Sequence, residues 1–69
     1  MATSEMAIEY KDRNITPEIV ATVFGKVIRR RPQVAEIIIV CRSASAAAYE
    51  AARDLSRNSG KLITLAPNS

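Results

Sequence analysis

Apolar and polar residues follow one another along the chain with spacings that predict the order strand, helix, strand, helix, strand. Residues 6 to 11 alternate with a period of two, which is typical of a strand. Residues 12 to 14 are turn formers, so we expect the strand to end before them. Thr16 and Pro17 then predict a helix start, because threonine caps free amides and proline needs no amide hydrogen in the first turn.

The first predicted helix has one broad apolar face, which we expect to join the core. This face consists of Ile19, Val20, Val23, Phe24, Val27 and Ile28. Gly25 interrupts the helix, and we expect a neighbouring element to pack close to it. The helix is expected to end in the arginines before Pro32, where cations suit the exposed carbonyls.

The second strand, residues 36 to 41, is a continuous β-branched run, which predicts a central strand covered on both faces. Ser43 and Ser45 are both candidate caps of the next helix, and Ser45 is preferred because it gives that helix an apolar inner stripe. The stripe consists of Ala48, Ala52 and Leu55. Gly60 suits a helix end, and a last strand then runs to Pro67.

Two helical crossovers between strands predict parallel pairing, so the predicted fold class is α/β with a small, mainly parallel sheet. We expect a flexible leader over residues 1 to 5, a single α/β domain over residues 6 to 66 and a C-terminal tail over residues 67 to 69. In a chain of 69 residues, burial only just offsets the entropy lost on ordering, so a partner would add stability.

The composition excludes several classes of site. With one cysteine and no histidine, the chain has no internal disulfide, no Cys/His zinc site and no Ser-His-Asp triad. Cys41 ends the apolar run and is expected to be a small core residue. The longest apolar run is too short to span a bilayer, and the first residues do not resemble a signal peptide, so we expect a cytoplasmic protein.

Glu9 and Lys11 are the candidate catalytic pair, because residues two apart on a strand project from the same face. The carboxylate could hold a divalent cation, and the ammonium could orient a water or steady the charge of a phosphate. Taken alone, however, such a pair is more often the solvated side of a sheet.

Four segments together resemble, in their order, the Mrr-type restriction endonuclease family of the nuclease superfamily named for its Asp…(Asp/Glu)-x-Lys motif. They are "IEYKDRNITPEIV", "AEIIIVC", "SASAAAYEAARDL" and "KLITL". The resemblance covers residues 6 to 66 and matches the C-terminal part of the catalytic domain, a restriction-endonuclease-like half domain. It implies that Glu9 and Lys11 are catalytic, that Glu9 is a ligand of Mg²⁺, and that the substrate is DNA.

The chain departs from that family in its metal ligands. The family carries a further aspartate on an earlier strand that is preceded by a helix, whereas only "MATSE" precedes the first strand here. Asp12 is not a substitute, because it lies three positions from Glu9 and faces the other side of a continued strand. We therefore expect the isolated chain to be inactive as a Mg²⁺-dependent endodeoxyribonuclease unless a partner or a longer parent chain completes the site.

The formal net charge of +3 fits an anionic partner or ordinary solubility. Arg29, Arg30 and Arg31 are either a solvated helix end or a phosphate-contacting patch that Arg42 and Lys61 extend. The chain has few aromatic residues on which bases could stack, so binding of DNA is expected to be led by the phosphate backbone and to weaken with salt.

The first strand is expected to be a sheet edge, and unpaired strand edges invite pairing. We therefore expect a homodimer in which the segments Met6 to Lys11 of two copies pair edge to edge. Two other functions stay open. One is a non-catalytic dimeric DNA-binding protein resembling the Alba family, without that family's long final hairpin. The other is a structural or regulatory module whose exposed strand edge docks a partner.

Overall fold

A computed structural model describes residues 5–68 as three strands and two helices that alternate along the chain. The elements are β1 (Met6–Ile15), α1 (Pro17–Arg30), β2 (Glu36–Ala44), α2 (Ala46–Ser59) and β3 (Leu62–Pro67). All strands are parallel, in the order β1-β2-β3, which confirms the predicted α/β fold. Most of the predicted leader, residues 1 to 4, and Ser69 of the predicted tail lie outside the described residues.

The ends of both helices are set by the local residues that the sequence indicates. Thr16 Oγ1 accepts a hydrogen bond from the amide of Ile19 at 3.4 Å, and Pro17 is the first residue of α1. Ser45, and not Ser43, is the cap of α2, because its Oγ accepts from the amide of Ala48 at 3.1 Å. After α2, Gly60 adopts the left-handed conformation with φ of 74°. Helix α1 ends at Arg30 before Pro32, so all four predicted helix ends are confirmed.

Strand β1 continues through the residues that were expected to form a turn. Lys11 pairs with Cys41 and Asn14 with Ser43, so a bulge between Lys11 and Asn14 absorbs one extra residue of β1. The strand continues because Ile15 is fully buried in the core, and because Ser43 Oγ donates a hydrogen bond to Asn14 Oδ1 at 2.8 Å. The predicted turn at residues 12 to 14 is therefore wrong.

Both helices pack on the same face of the sheet, where they form the core. Its buried side chains come from alternate positions of the strands and from one face of each helix. They include Ala7, Val20, Val23, Val27, Ile37, Ile39, Cys41, Ala48, Ala52, Ile63 and Leu65. Gly25 does not mark a close approach, because a Cβ atom added there would meet nothing within 4 Å. Within residues 5–68, neither helix is long and apolar enough to cross a membrane.

The opposite face of the sheet is left open by the described elements. In β2, Ile37, Ile39 and Cys41 are buried under the helices, whereas Ile38 and Val40 between them are only partly buried. The expectation that β2 is covered on both faces is therefore met on one face alone. The reason is the strand order, because two successive crossovers of one hand in one direction place both helices on the same side.

Candidate functional site

The candidate pair Glu9 and Lys11 lies on the helix side of β1. Both residues share a face with the buried Ala7, and both are partly exposed. The prediction that the two side chains project from one face agrees with this alternation. Lys11 lines a shallow cleft between β1 and the start of α1, together with Glu18 and Ile19. The pair is therefore placed at the edge of the core, beside α1.

The residues around Glu9 do not fit a magnesium site. Mg²⁺ is held by several oxygen ligands, usually including more than one protein group or a substrate phosphate. Asp12 is exposed and engaged elsewhere, because its Oδ1 accepts hydrogen bonds from Nε and Nη2 of Arg42 at 3.1 and 2.9 Å. In the part of the chain that the structure describes, no group of three His, Cys, Asp or Glu residues could hold a metal ion. Glu9 is thus a carboxylate without the further ligands that the family resemblance requires.

Four of the five predicted phosphate-contacting residues lie at the end of the sheet where the strands begin. Arg29 and Arg30 are exposed in the last turn of α1, and Arg31 pairs with Glu5 at 3.2 Å. Lys61 is held by the loop before β2, where its Nζ donates to two backbone carbonyl oxygens. These are the oxygens of Pro32, at 3.0 Å, and of Val34, at 2.8 Å. Of these four cations, Lys61 and Arg31 are already bound within the chain.

Arg42 lies at the other end of the sheet and is not part of a patch with the other cations. It follows Glu36 by six residues of β2, which corresponds to about 20 Å along the strand. Its guanidinium pairs with Asp12 at 2.9 Å. The predicted basic patch of five residues is therefore divided between the two ends of the strands, because β2 carries Arg42 away from the C-terminal end of α1.

The face of the sheet away from the helices, here called the open face, carries the larger apolar side chains of β1. The strand register arranges the open face in rows: Met6, Glu36 and Leu62; Ile8, Ile38 and Thr64; Tyr10, Val40 and Ala66. Tyr10 is 75% exposed, Leu62 56%, and Met6 and Ile8 47% each. Four of the five exposed large hydrophobic residues of the described chain thus lie on this face.

Two charges lie at opposite ends of the open face on its central strand. Glu36 starts β2 and forms no ion pair with another described residue. Arg42 follows the apolar positions Ile38 and Val40. The open face was not predicted from the sequence, because the face of β1 that carries Glu9 and Lys11 was expected to be the solvated side of the sheet. The signal that indicated it was the unbroken apolar run of β2, which needs cover on both faces.

Cys41 belongs to the core on the helix side of β2, as the sequence predicts. The residue is 3% exposed, and burial raises the pKa of its thiol above the ordinary value. A buried thiol with a raised pKa is a poor nucleophile, because the thiolate is the reactive form. Cys41 is therefore a packing residue.

The resemblance to Mrr-type nucleases rests on the order of the elements and on the Glu9 and Lys11 pair. The structure has the expected order, and the pair shares one face. The family membership and the nuclease activity stay predictions. Compared with protein-family models, with curated proteins and with solved structures, the chain finds no match.

Proposed function

We propose that this chain is a protein-interaction module that binds another protein surface through its open face. The observation that carries the proposal is the exposure of Met6, Ile8, Tyr10 and Leu62 on a single face of the sheet. Contiguous apolar surface of this kind on a small protein is typical of a binding surface, whereas single exposed hydrophobic residues are ordinary.

The orientation of β1 supports the proposal, because the strand turns its larger apolar side chains away from the helices. A monomer would be expected to bury them. The covered face of β1 carries Ala7, Glu9 and Lys11, and its open face carries Met6, Ile8 and Tyr10. Turning the strand over would bury larger apolar groups, yet in the structure the helices cover the face that carries Glu9 and Lys11. Such a conflict between local pattern and fold disappears when a second layer covers the open face.

The gain from covering this face is substantial for so small a domain. Full burial of an aliphatic or methionine side chain contributes roughly 1.5–3 kcal/mol. Met6 and Ile8 are each about half exposed, so covering them would contribute about 1 kcal/mol each, and Tyr10 and Leu62 offer larger exposed fractions. Part of this gain is offset by the freedom lost on association.

Photo-crosslinking tests the proposal, because the two tyrosines of the chain form a matched pair. Tyr10 lies on the open face and Tyr49 lies on α2, on the helix side of the sheet, and both are exposed. A benzophenone amino acid is placed at one position or the other in the cells that make the protein, and the adducts are resolved by mass. We expect a discrete adduct from position 10 and little from position 49. No adduct at position 10, or equal yields at both, refutes the open face as a binding surface.

A second candidate function is binding to the phosphate backbone of nucleic acid. The observation that favours it is a row of exposed cations, Lys26, Arg29 and Arg30, at helical spacing on α1. Replacing all three with glutamine should weaken the binding of unrelated duplexes equally and reduce the slope of log K against log salt by about 0.9 for each phosphate that the variant no longer neutralises. The double substitution of Arg53 and Arg57 on α2 is the control for net charge, with each loss divided by the number of charges removed. An equal loss per charge in the control would assign the effect to net charge.

A further inference from the structure

We propose that the surface bound by the open face is a second copy of this chain, packed face to face with its strands antiparallel to those of the first. The proposal rests on the proposed function and names the partner. The positions of the two charges on β2 favour this arrangement, and the area of the open face sets the strength of the contact.

A symmetric contact between two open faces has two simple arrangements, which differ in the direction of the two-fold axis. With the axis parallel to the strands, the strands of both copies run the same way. Each Glu36 then lies over Glu36 of the second copy, and each Arg42 over Arg42. Like charges at both ends of an otherwise apolar contact disfavour this arrangement.

With the axis perpendicular to the strands, the second sheet runs in the opposite direction and the charges are complementary. Ile39 is the midpoint between Glu36 and Arg42 on β2, so Glu36 of each copy lies over Arg42 of the other. The positions between them also match, because Ile38 lies over Val40 of the second copy. The contact then has an apolar centre and two opposite-charge pairs at its rim, as protein interfaces commonly do.

The existing pair between Arg42 and Asp12 leaves room for this contact. A guanidinium has five N–H donors, and two of them, on Nε and Nη2, bond to Asp12 Oδ1. The remaining donors are free to bind the carboxylate of Glu36 from the second copy. The central position of β2 matters here, because packed sheets cross at about 30° and facing positions near the centre of the contact are displaced least.

The size of the open face sets the strength of the contact. Three strands about 4.8 Å apart and about 20 Å long give a flat footprint of about 300 Å² on each copy. A standard stable interface buries about 800 Å² per partner, so the dimer should belong to the weak class. We expect a dissociation constant on the order of 10–100 μM.

Face-to-face packing differs from the edge-to-edge pairing of β1 that the sequence suggests. The structure places both β1 and β3 at sheet edges, and pairing of either edge would leave Ile38 and Val40 uncovered. Only a contact on the open face gives β2 the second covered side that its continuous apolar run indicates.

Charge reversal with rescue tests the antiparallel arrangement, using Glu36→Arg and Arg42→Glu. Either variant alone places like charges in both rim pairs, so its dissociation constant, measured by sedimentation velocity across protein concentrations, should rise about tenfold or more. An equimolar mixture restores both pairs and should associate within about threefold of the wild type. Glu50→Arg on the exposed face of α2 makes the same charge change away from the open face and should leave association unchanged. Circular dichroism verifies that each variant is folded.

The outcomes separate this proposal from the proposed function. A wild type that stays monomeric at millimolar concentration, a Glu36→Arg variant that associates like the wild type, or a mixture without rescue would each overturn the antiparallel dimer. A wild-type monomer whose position-10 adduct has the mass of a different protein would keep the interaction function and assign it to that other protein. A monomer without any adduct would remove both.

Discussion

Replacing Ile38 or Ile39 with alanine should give very different losses of stability, although the two residues are neighbours on the same strand. Ile39 is 1% exposed and lies under the helices, whereas Ile38 lies on the open face and is partly exposed. The chemical change and the loss of intrinsic strand preference are the same in both variants. The comparison therefore isolates the effect of the layer that covers each side chain.

The expected magnitudes follow from what replaces the deleted atoms. At Ile39 the deletion leaves a cavity in a packed core, and such substitutions cost about 2–5 kcal/mol. At Ile38 water fills the space, so about 1 kcal/mol is expected in the monomer. A domain of 69 residues has a total free energy of unfolding of about 3–10 kcal/mol, so the Ile39 variant loses a large part of it.

Urea denaturation followed by circular dichroism measures both losses at low micromolar protein concentration. With a slope of about 1 kcal/mol per molar urea, the Ile39→Ala midpoint should fall by about 3 M and the Ile38→Ala midpoint by about 1 M. If the Ile39→Ala variant is unfolded without urea, the isoleucine-to-valine pair gives the same comparison, with about 1 kcal/mol expected at position 39.

Equal losses at the two positions, measured where the chain is monomeric, would refute the conclusion that the described residues cover only one face of β2. Protein concentration adds a second readout. A dimer on the open face stabilises the native state by mass action, so the Ile38→Ala loss should grow as concentration rises. The Ile39→Ala loss relative to the wild type should change much less, because its side chain faces the helices.

Four further predictions concern individual side chains. Gly25→Ala should raise the free energy of unfolding by about 0.5–1 kcal/mol in thermal or urea denaturation, because α1 has room for a Cβ atom there; Gly60→Ala should lower it by about 1 kcal/mol, because φ is 74°. The Cys41 thiol should react with iodoacetamide only on unfolding. Because its pKa is raised in the folded state, its contribution to the free energy of unfolding is fully present below its ordinary pKa and is lost as pH rises through the folded pKa. The Cys41→Ala variant should not show this loss at high pH. A plasmid-nicking assay with Mg²⁺ should find no cleavage by the isolated chain, since Glu9 lacks further ligands; cleavage that both Glu9→Gln and Lys11→Ala abolish would restore the catalytic pair.

Much of this fold could be predicted because its signals are local. Thr16 and Ser45 cap helices by accepting bonds from amides three residues later, and Gly60 ends a helix by its own backbone conformation. Such features depend on a few consecutive residues, so the sequence indicates them without knowledge of the rest of the chain. The parallel order of the strands followed from the helical crossovers between them.

The length of β1 and the placement of the cations could not be predicted in this way. Ile15 extends the strand only because a core exists into which it can be buried. Arg42 and Lys61 were expected in one patch, but β2 carries Arg42 to one end of the strands. Lys61 lies just before β3 at the opposite end, where the carbonyl oxygen of Val34 accepts a hydrogen bond from it. Both outcomes depend on contacts between residues far apart in the sequence.

The open face marks the limit of what the sequence alone determined. Alternation along β1 established that Ile8 and Tyr10 share one face and that Glu9 and Lys11 share the other. It did not determine which of the two faces the helices would cover. That choice was made by the tertiary structure, because the side of the sheet on which α1 and α2 pack depends on strand order and crossover direction, which no local period of hydrophobicity encodes.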